Sequence, residues 1–97
     1  MLEFEWDEEK NRITVEKHGL SFERAMTIFD GFCILDEDRR FDYGENRWVA
    51  TGTIEDGVVI VLVYTIRKPR IRIISARSAS KMERRRYYEK IRERTDG

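Results

Sequence analysis

The segment that most constrains the fold is Val58–Ile66, which is apolar almost throughout and mostly β-branched. A run of this kind is typical of a central strand that is covered on both faces. It is too short for a membrane span, which needs roughly 18–20 apolar residues. We therefore expect a sheet with this strand at its centre, and no part of the chain in a membrane.

Turn-forming residues bound this strand on both sides, at Asp56-Gly57 and at Lys68-Pro69. The segments beyond these turns have the composition of further strands, so consecutive hairpins are expected. An acidic loop, residues 36–46, joins the first two strands of this meander. The predicted strands are Phe32–Leu35, Arg47–Ile54, Val58–Ile66 and Arg70–Ala76.

A strand and two helices are expected before the meander. Leu2–Trp6 alternates apolar and acidic residues, the pattern of a half-buried strand. Asp7 is placed to cap a helix that runs to about Lys17 and stops before Gly19. Ser21 is the next capping residue, and apolar residues follow it at helical spacing. We expect them to form a buried stripe of Phe22, Ala25, Met26 and Phe29.

The last helix begins with a capping box, Ser80-Lys81-Met82-Glu83, in which the serine and glutamate side chains satisfy each other's free backbone N–H groups. It should run to about Arg94 and pack by a narrow apolar face of Met82, Tyr87, Tyr88 and Ile91. The order β-α-α-β-β-β-β-α, without a linker, predicts one α+β domain over residues 1–97. Its architecture would be an antiparallel β-sheet meander with two N-terminal helices and a C-terminal helix.

The net charge is zero, but the two parts of the chain differ strongly in charge. Residues 1–57 contain 7 Lys and Arg against 15 Asp and Glu, whereas residues 58–97 contain 12 against 4. The basic part is rich in arginine, whose planar guanidinium suits phosphate. This asymmetry indicates a nucleic-acid partner, or two parts that neutralise each other on folding. The acidic segment 36–45 is a second candidate docking surface, for a basic partner.

The sequence excludes several common chemistries. A single histidine, His18, excludes sites that need two, and a single cysteine, Cys33, excludes an internal disulfide. Apolar neighbours predict that Cys33 is an inert buried thiol. No Gly-rich phosphate loop or nucleophile elbow is present in the sequence, and segment 36–45 lacks the spacing of a calcium loop. We expect neither a cofactor nor a metal.

Cleavage of RNA without a metal would need a base, an acid and cations that stabilise the phosphorane. Arg67 and Arg77, at the ends of two predicted strands, could supply the positive charge. The candidates for proton transfer are Lys17, His18, Glu83 and Tyr87. Most of these residues have a structural alternative: a helix end for His18, the capping box for Glu83, the core for Tyr87, and surface charges on strand ends for Arg67 and Arg77. Composition and spacing alone therefore indicate no more than a basic α+β domain that binds RNA.

Six short motifs follow one another along nearly the whole chain, from Phe4 to Tyr87. They are Phe4-x-Trp6-Asp7-x-x-Lys10, Lys17-His18-Gly19-x-Ser21-Phe22-x-x-Ala25, Gly44-Glu45-x-Arg47, Tyr64-Thr65-x-Arg67, Arg72-Ile73-Ile74-Ser75-Ala76-Arg77-x-Ala79 and Glu83-Arg84-x-x-Tyr87. This succession resembles the BrnT family of type II toxins. One position departs from the family pattern, because Thr14 stands where the family usually has an asparagine.

The resemblance implies a RelE-like ribonuclease fold, cleavage of cellular RNA in the cytoplasm, and growth arrest. It also implies a cognate antitoxin, BrnA, a ribbon-helix-helix protein that binds DNA. The complex would repress its own promoter, with DNA contacted only indirectly, through the antitoxin. The family's functional positions fall on Lys17, Arg67, Arg77, Glu83 and Tyr87, with His18 as a further candidate.

These positions suggest a division of roles. We expect Arg67 and Arg77 to hold the scissile phosphate, with Lys17 or His18 as proton carrier or charge stabiliser. Glu83 and Tyr87 would position or exchange protons. Two other function classes remain open: a non-catalytic RNA- or protein-binding module with a basic C-terminal surface, and a purely structural partner-binding domain.

Overall fold

The computed structural model describes residues 2–40 and 42–96, and within them the chain forms five strands and three α-helices. In chain order these are β1 (Glu3–Glu5), α1 (Glu8–His18), α2 (Phe22–Ala25), a 3-10 helix (Met26–Asp30), β2 (Ile34–Asp38), β3 (Arg47–Thr53), β4 (Val59–Arg67), β5 (Arg70–Ser78) and α3 (Lys81–Asp96). The predicted order of elements is confirmed.

The apolar strand β4 lies at the centre of the sheet, whose strand order is β1-β5-β4-β3-β2. The strands β2 to β5 form an antiparallel meander, as expected. The sheet as a whole is mixed, because β1, which lies outside the expected meander, pairs in parallel with β5 at one edge. Two helices and three strands separate β1 from β5 in the chain, so no tight turn dictates their relative direction.

A bulge in β5 decides on which side of the sheet Arg77 lies. Ile74 is an extra residue, because the pairing of β5 with β4 shifts between Val63 and Tyr64. Under strict alternation Arg72 and Arg77 would point to opposite sides of the sheet. The extra residue brings them to the same side. We call this side the basic face, and its arginines on β4 and β5 are Arg67, Arg70, Arg72 and Arg77.

Each side of the sheet has its own apolar core. The side opposite the basic face packs against α2 and the 3-10 helix, and its innermost side chains are Phe22, Ile28, Ile60, Leu62 and Ile73. On the basic face, α3 covers a smaller core of Ile34, Val59, Val61, Ala79 and Tyr87. This smaller core lies at the end of the sheet where β4 begins. At the other end of β4, the Arg67 side chain is half-exposed.

The predicted helix caps are confirmed. Asp7 accepts hydrogen bonds from two N–H groups in the first turn of α1, at 2.9 and 3.4 Å. Ser21 accepts one from the first turn of α2, at 3.1 Å. Gly19 follows α1 with φ at 64°, a left-handed conformation that glycine adopts at little cost. The hydroxyl of Thr14 donates within α1 to the Lys10 carbonyl, at 2.9 Å.

Some expectations of detail are wrong. The second strand begins at Ile34, later than predicted, and it continues to Asp38 inside the supposed acidic loop. The apolar stripe after Ser21 bends into a 3-10 helix, so Ile28 is buried whereas Phe29 is only partly buried. Met82 is 80% exposed and does not pack. No helix described, from α1 to α3, is long and apolar enough to cross a membrane.

Candidate functional site

The salt bridge between Arg77 and Glu83 lies where β5 leads into α3. Arg77 Nη1 donates to Glu83 Oε1 at 2.8 Å and Nη2 donates to Oε2 at 2.9 Å. This bidentate geometry is the strong form of an arginine–carboxylate pair. Arg77 Nη1 also donates to the Ser78 carbonyl, at 3.2 Å. The guanidinium is therefore held in one orientation while 49% of the Arg77 side chain stays exposed.

The capping box holds Glu83 from a second direction. The Ser80 N–H donates to Glu83 Oε1 at 2.8 Å, and the Glu83 N–H donates to Ser80 Oγ at 3.2 Å. The hydrogen bond from Arg77, aided by those from Ser80, lowers the pKa of Glu83 from 4.5 to about 2. A carboxylate this acidic is a weak general base. Glu83 is thus suited to orienting Arg77 and poorly suited to accepting a proton.

Glu83→Gln should reduce stability at neutral pH by on the order of 1 kcal/mol, since 35% exposure of Glu83 screens the pair. The amide keeps the capping bond but loses the charge that pairs with Arg77. Because the folded pKa of Glu83 lies below 4.5, the stabilisation is present above that pH and is lost as the pH falls towards 2. The stability difference between the two proteins should therefore shrink in acid.

Urea unfolding of both proteins, from neutral pH to about pH 3, measures this difference. Glu16→Gln is a matched control, because Glu16 is also in an exposed pair with an arginine, Arg12, outside the site. A Glu83→Gln protein as stable as the wild type at neutral pH would contradict the prediction.

The charge of Arg40 acts on Arg77, although no sequence motif marks Arg40 as a site residue. The pKa of Arg77 is raised mainly by Glu83, and the positive charge of Arg40 opposes this rise. Arg40 therefore lies near Arg77. It donates from Nε and Nη2 to the two oxygens of Asp38, each at 2.9 Å, which holds the pKa of Asp38 well below its usual range. Sequence spacing cannot reveal this proximity, because it depends on how the loop between β2 and β3 folds.

That loop folds back over the basic face. The Thr65 hydroxyl donates to the Asn46 carbonyl at 2.7 Å, and Arg67 Nη2 donates to Glu45 at 3.3 Å. The Arg47 guanidinium carbon lies 4.0 Å from the centroid of the Tyr43 ring, a cation–π contact. The loop encloses a depression of about 550 Å³ lined by residues 37–40 and 42–46. These contacts place the loop beside the part of the basic face that carries Thr65 and Arg67.

Most carboxylates of segment 36–45 are neutralised within the chain. The pairs are Asp36 with Arg86, Glu37 with Arg39, Asp38 with Arg40, and Glu45 with Arg67. The expectation that this segment offers an acidic docking surface is therefore not supported by the structure. Two of these pairs, Asp36 with Arg86 and Glu45 with Arg67, join the acidic part of the chain to its basic part, as the alternative of mutual neutralisation predicts.

Arg67 and Arg77 lie on the same face but far apart along it. Arg77 pairs with Val61, and Arg67 is six residues further along β4. At ~3.3 Å per residue this places the two backbone positions about 20 Å apart. This separation does not support the expectation that both guanidiniums hold the scissile phosphate, because the two strands of an antiparallel hairpin end at opposite edges of the sheet. The individual role of each arginine stays a prediction.

Tyr87 lies in the core beneath α3. Its side chain is 2% exposed, and its hydroxyl donates to the Phe32 carbonyl at 2.9 Å. The ring packs against Phe32 with centroids 5.7 Å apart. These contacts favour the structural alternative over the expected role in proton exchange, because the hydroxyl proton already has a buried acceptor.

Lys17 and His18 occupy the last turn of α1, and both are exposed. His18 lines a small depression of about 180 Å³ together with Val58 and Ser78, so it lies at the same end of the sheet as Arg77. Ser78 and Arg77 point to opposite sides of β5 because they are adjacent in the strand. The structure thus brings His18 to the edge of the Arg77 region without a contact between them. The proton-transfer roles of Lys17 and His18 stay predictions.

Cys33 is half-buried and does not present a reactive thiolate. Its Sγ donates to the Ile28 carbonyl at 2.9 Å, and burial raises the pKa of the thiol to about 11. Within residues 2–40 and 42–96, no group of three or more His, Cys, Asp or Glu residues is arranged to hold a metal ion.

The chain is similar to known toxins both in sequence and in structure. The family model described as "Ribonuclease toxin, BrnT, of type II toxin-antitoxin system" matches residues 6–83. The matched segment includes Lys17, His18, Arg67, Arg77 and Glu83 but ends before Tyr87. No curated protein matches the chain.

A crystal structure of the Brucella abortus ribonuclease toxin BrnT, at 1.1 Å resolution, superposes with a TM-score of 0.65. It is 23% identical in sequence, and the match covers 84% of this chain and 100% of that chain. At this level of identity the likeness shows a shared α+β fold.

Proposed function

This chain belongs to the BrnT family of ribonuclease toxins of type II toxin–antitoxin systems, and from this premise we propose that it is a metal-independent endoribonuclease. It would cut RNA by attack of an internal 2′-hydroxyl on the adjacent phosphodiester. The observation that carries the proposal is the oriented, half-exposed Arg77, held by Glu83 at the end of an arginine-rich sheet face.

Arg77 is the residue best suited to bind the scissile phosphate. Glu83 engages one hydrogen of each Nη atom, and the Ser78 carbonyl accepts the other hydrogen of Nη1. The second hydrogen of Nη2 and the Nε–H have no acceptor among the described residues. An anion can therefore approach the exposed side of the guanidinium without breaking the salt bridge. Pre-orientation favours catalysis, because the donor is already in place when charge develops on the phosphorane.

The reaction forms one bond and breaks one. A base takes the proton of the 2′-hydroxyl, the freed oxygen attacks phosphorus, and the bond to the 5′-oxygen breaks. An acid then protonates the leaving 5′-oxygen, which yields a 2′,3′-cyclic phosphate and a 5′-hydroxyl. We assign charge stabilisation to Arg77, assisted by Arg40, and orientation of Arg77 to Glu83. Lys17 and His18 are the proposed proton carriers.

Incubation of the purified protein with RNA in the presence of EDTA tests the reaction class. We expect cleavage with a 2′,3′-cyclic phosphate at the new 3′ end and a 5′-hydroxyl on the other fragment, as end-group analysis or mass spectrometry detects. Substrates with a single 2′-deoxy nucleotide at the cleavage point serve as the control and should stay intact. Loss of cleavage on chelation, or products with a 5′-phosphate, would overturn the mechanism.

The family membership supports three further proposals. The partner would be a BrnA-like ribbon-helix-helix antitoxin, which neutralises the toxin and carries the DNA contacts when the complex represses its promoter. The site of action would be the cytoplasm, where cleavage of cellular RNA arrests growth. The fold would be RelE-like. Induced expression with and without the antitoxin tests the first two, since growth that continues when the toxin is expressed alone would contradict them.

A further inference from the structure

We infer that the tip of the β4–β5 hairpin is a second phosphate-binding subsite, which holds the RNA backbone away from the scissile phosphate. We call this cluster of Arg67, Lys68 and Arg70 the hairpin tip. The inference rests on the proposed function and extends it, because it predicts that the substrate must span a minimum length to bind tightly.

The hairpin tip concentrates three positive charges, of which the described part of the fold pairs only one, Arg67, with a carboxylate. Arg67 and Arg70 are directly opposite each other in the β4–β5 register, an arrangement in which like charges destabilise a sheet. Lys68 adds a third cation in the turn between them. The only carboxylate that contacts the cluster within the described residues is Glu45, at 3.3 Å from Arg67 Nη2. A cluster with more cations than carboxylates is suited to an external anion.

The other arginines of the basic face contrast with this cluster. Arg72 is paired with Glu5 at 2.8 Å, and Arg77 is paired with Glu83. Arg70 and Lys68 have no ion pair or side-chain hydrogen bond with any residue in the described ranges, and both are exposed. The hairpin tip is therefore the place on this face where a phosphate gains most from binding.

The geometry links the hairpin tip to the Arg77 region. Both lie on the basic face, about 20 Å apart along β4 at ~3.3 Å per residue. Arg72 lies between them, opposite Thr65. One single strand of several nucleotides could follow this row of cations, with one phosphate at Arg77 and others at the hairpin tip. An RNA strand bound in the active site accounts for the cations at both ends of this row. An acidic protein segment accounts only for those at the hairpin tip.

Binding of non-cleavable 2′-O-methyl RNA, measured by fluorescence anisotropy, tests the subsite. The variant is R67A/K68A/R70A. The short probe is a dinucleotide, which has one phosphate between its nucleosides, and the long probe has about 12 nucleotides, within the range of single-strand site sizes. We expect the variant to bind the long probe at least about 10-fold more weakly than the wild type does. The slope of log K against log salt concentration should fall in magnitude by about 2, since each of the three lost phosphate contacts contributes ~0.7. Binding of the short probe should change less than about twofold, because its single phosphate, held at Arg77, does not reach the tip.

The matched control is K10A/R85A/R92A, which removes the same charge from exposed cations on α1 and α3. The inference is overturned if the control weakens binding of the long probe as much as the tip variant does. It is also overturned if the tip variant weakens both probes equally, or if it abolishes binding of poly-glutamate while RNA binding is unchanged. Thermal melting of each protein confirms that it is folded.

Failure of the inference and failure of the proposed function give different results. If the wild type cleaves RNA but the tip variant binds the long probe normally, the subsite is wrong and the ribonuclease mechanism stands. If the wild type never cleaves RNA but shows the length-dependent binding, the subsite stands and the mechanism is wrong.

Discussion

Arg77→Ala should lower the rate of RNA cleavage by about 10²–10³-fold, the usual cost of removing one preorganised donor to a developing oxyanion. Arg77 is the guanidinium that Glu83 orients, and alanine leaves no cation at that position. The fold should survive, because the side chain is 49% exposed and exposed ion pairs contribute little to stability. Single-turnover cleavage of a short RNA by the variant and the wild type measures the effect.

Two further variants test whether the effect is specific to the guanidinium of Arg77. Arg77→Lys keeps the charge but loses the planar fork, so it should recover only part of the rate. Arg67→Ala removes an arginine of similar exposure on the same face, and on a short substrate it should cleave at a rate close to that of the wild type. If Arg77→Ala cleaves at the wild-type rate, or if Arg67→Ala is the inactive variant, the scissile phosphate is not at Arg77.

Tyr87→Ala should cost about 3–5 kcal/mol of folding free energy, the usual loss when a buried aromatic side chain is truncated. Tyr87 is 2% exposed and packs between α3 and the sheet. Domains of this size have only about 5–15 kcal/mol in total, so the variant should be close to unfolding. Tyr87→Phe keeps the ring and leaves only the Phe32 carbonyl without its donor, so it should lose about 1 kcal/mol.

The pair of variants separates a structural role of Tyr87 from a catalytic one. Urea unfolding measures stability, and cleavage of RNA by Tyr87→Phe measures chemistry. We expect the phenylalanine variant to cleave at a rate close to that of the wild type. A stable Tyr87→Phe protein with a rate reduced by about 100-fold or more would instead support the proton-exchange role that the family motif implies.

Local interactions made much of the fold predictable. Asp7, Ser21 and the Ser80–Glu83 capping box hydrogen-bond within one turn of the residues that follow them, so their caps are visible in the sequence. The apolar run of β4 predicts its central place, because a strand covered on both sides has no polar face. The resemblance to the BrnT family is confirmed, since it depends on residue types in order and not on geometry.

The candidate site was harder to predict, since it depends on contacts between distant segments. The motifs contain Arg67, Arg77, Glu83 and Tyr87, but motif spacing cannot separate an exposed cation from a core residue. The register between β4 and β5 places the backbones of Arg67 and Arg77 about 20 Å apart, because each strand residue adds ~3.3 Å. The proximity of Arg40 to Arg77 depends on the folded loop after β2, and nothing in its local sequence indicates it.

The helices and strands were predictable from the amino-acid sequence, because caps, turns and apolar periodicity act over a few neighbouring residues. The sequence also determined the family. The tertiary structure alone decided which charges meet: the bulge at Ile74 brings Arg77 to the face of Arg72, and α3 buries Tyr87 while it presents Glu83 to Arg77. The physical reason is that a strand alternates with period two, so one extra residue transfers every following side chain to the other face.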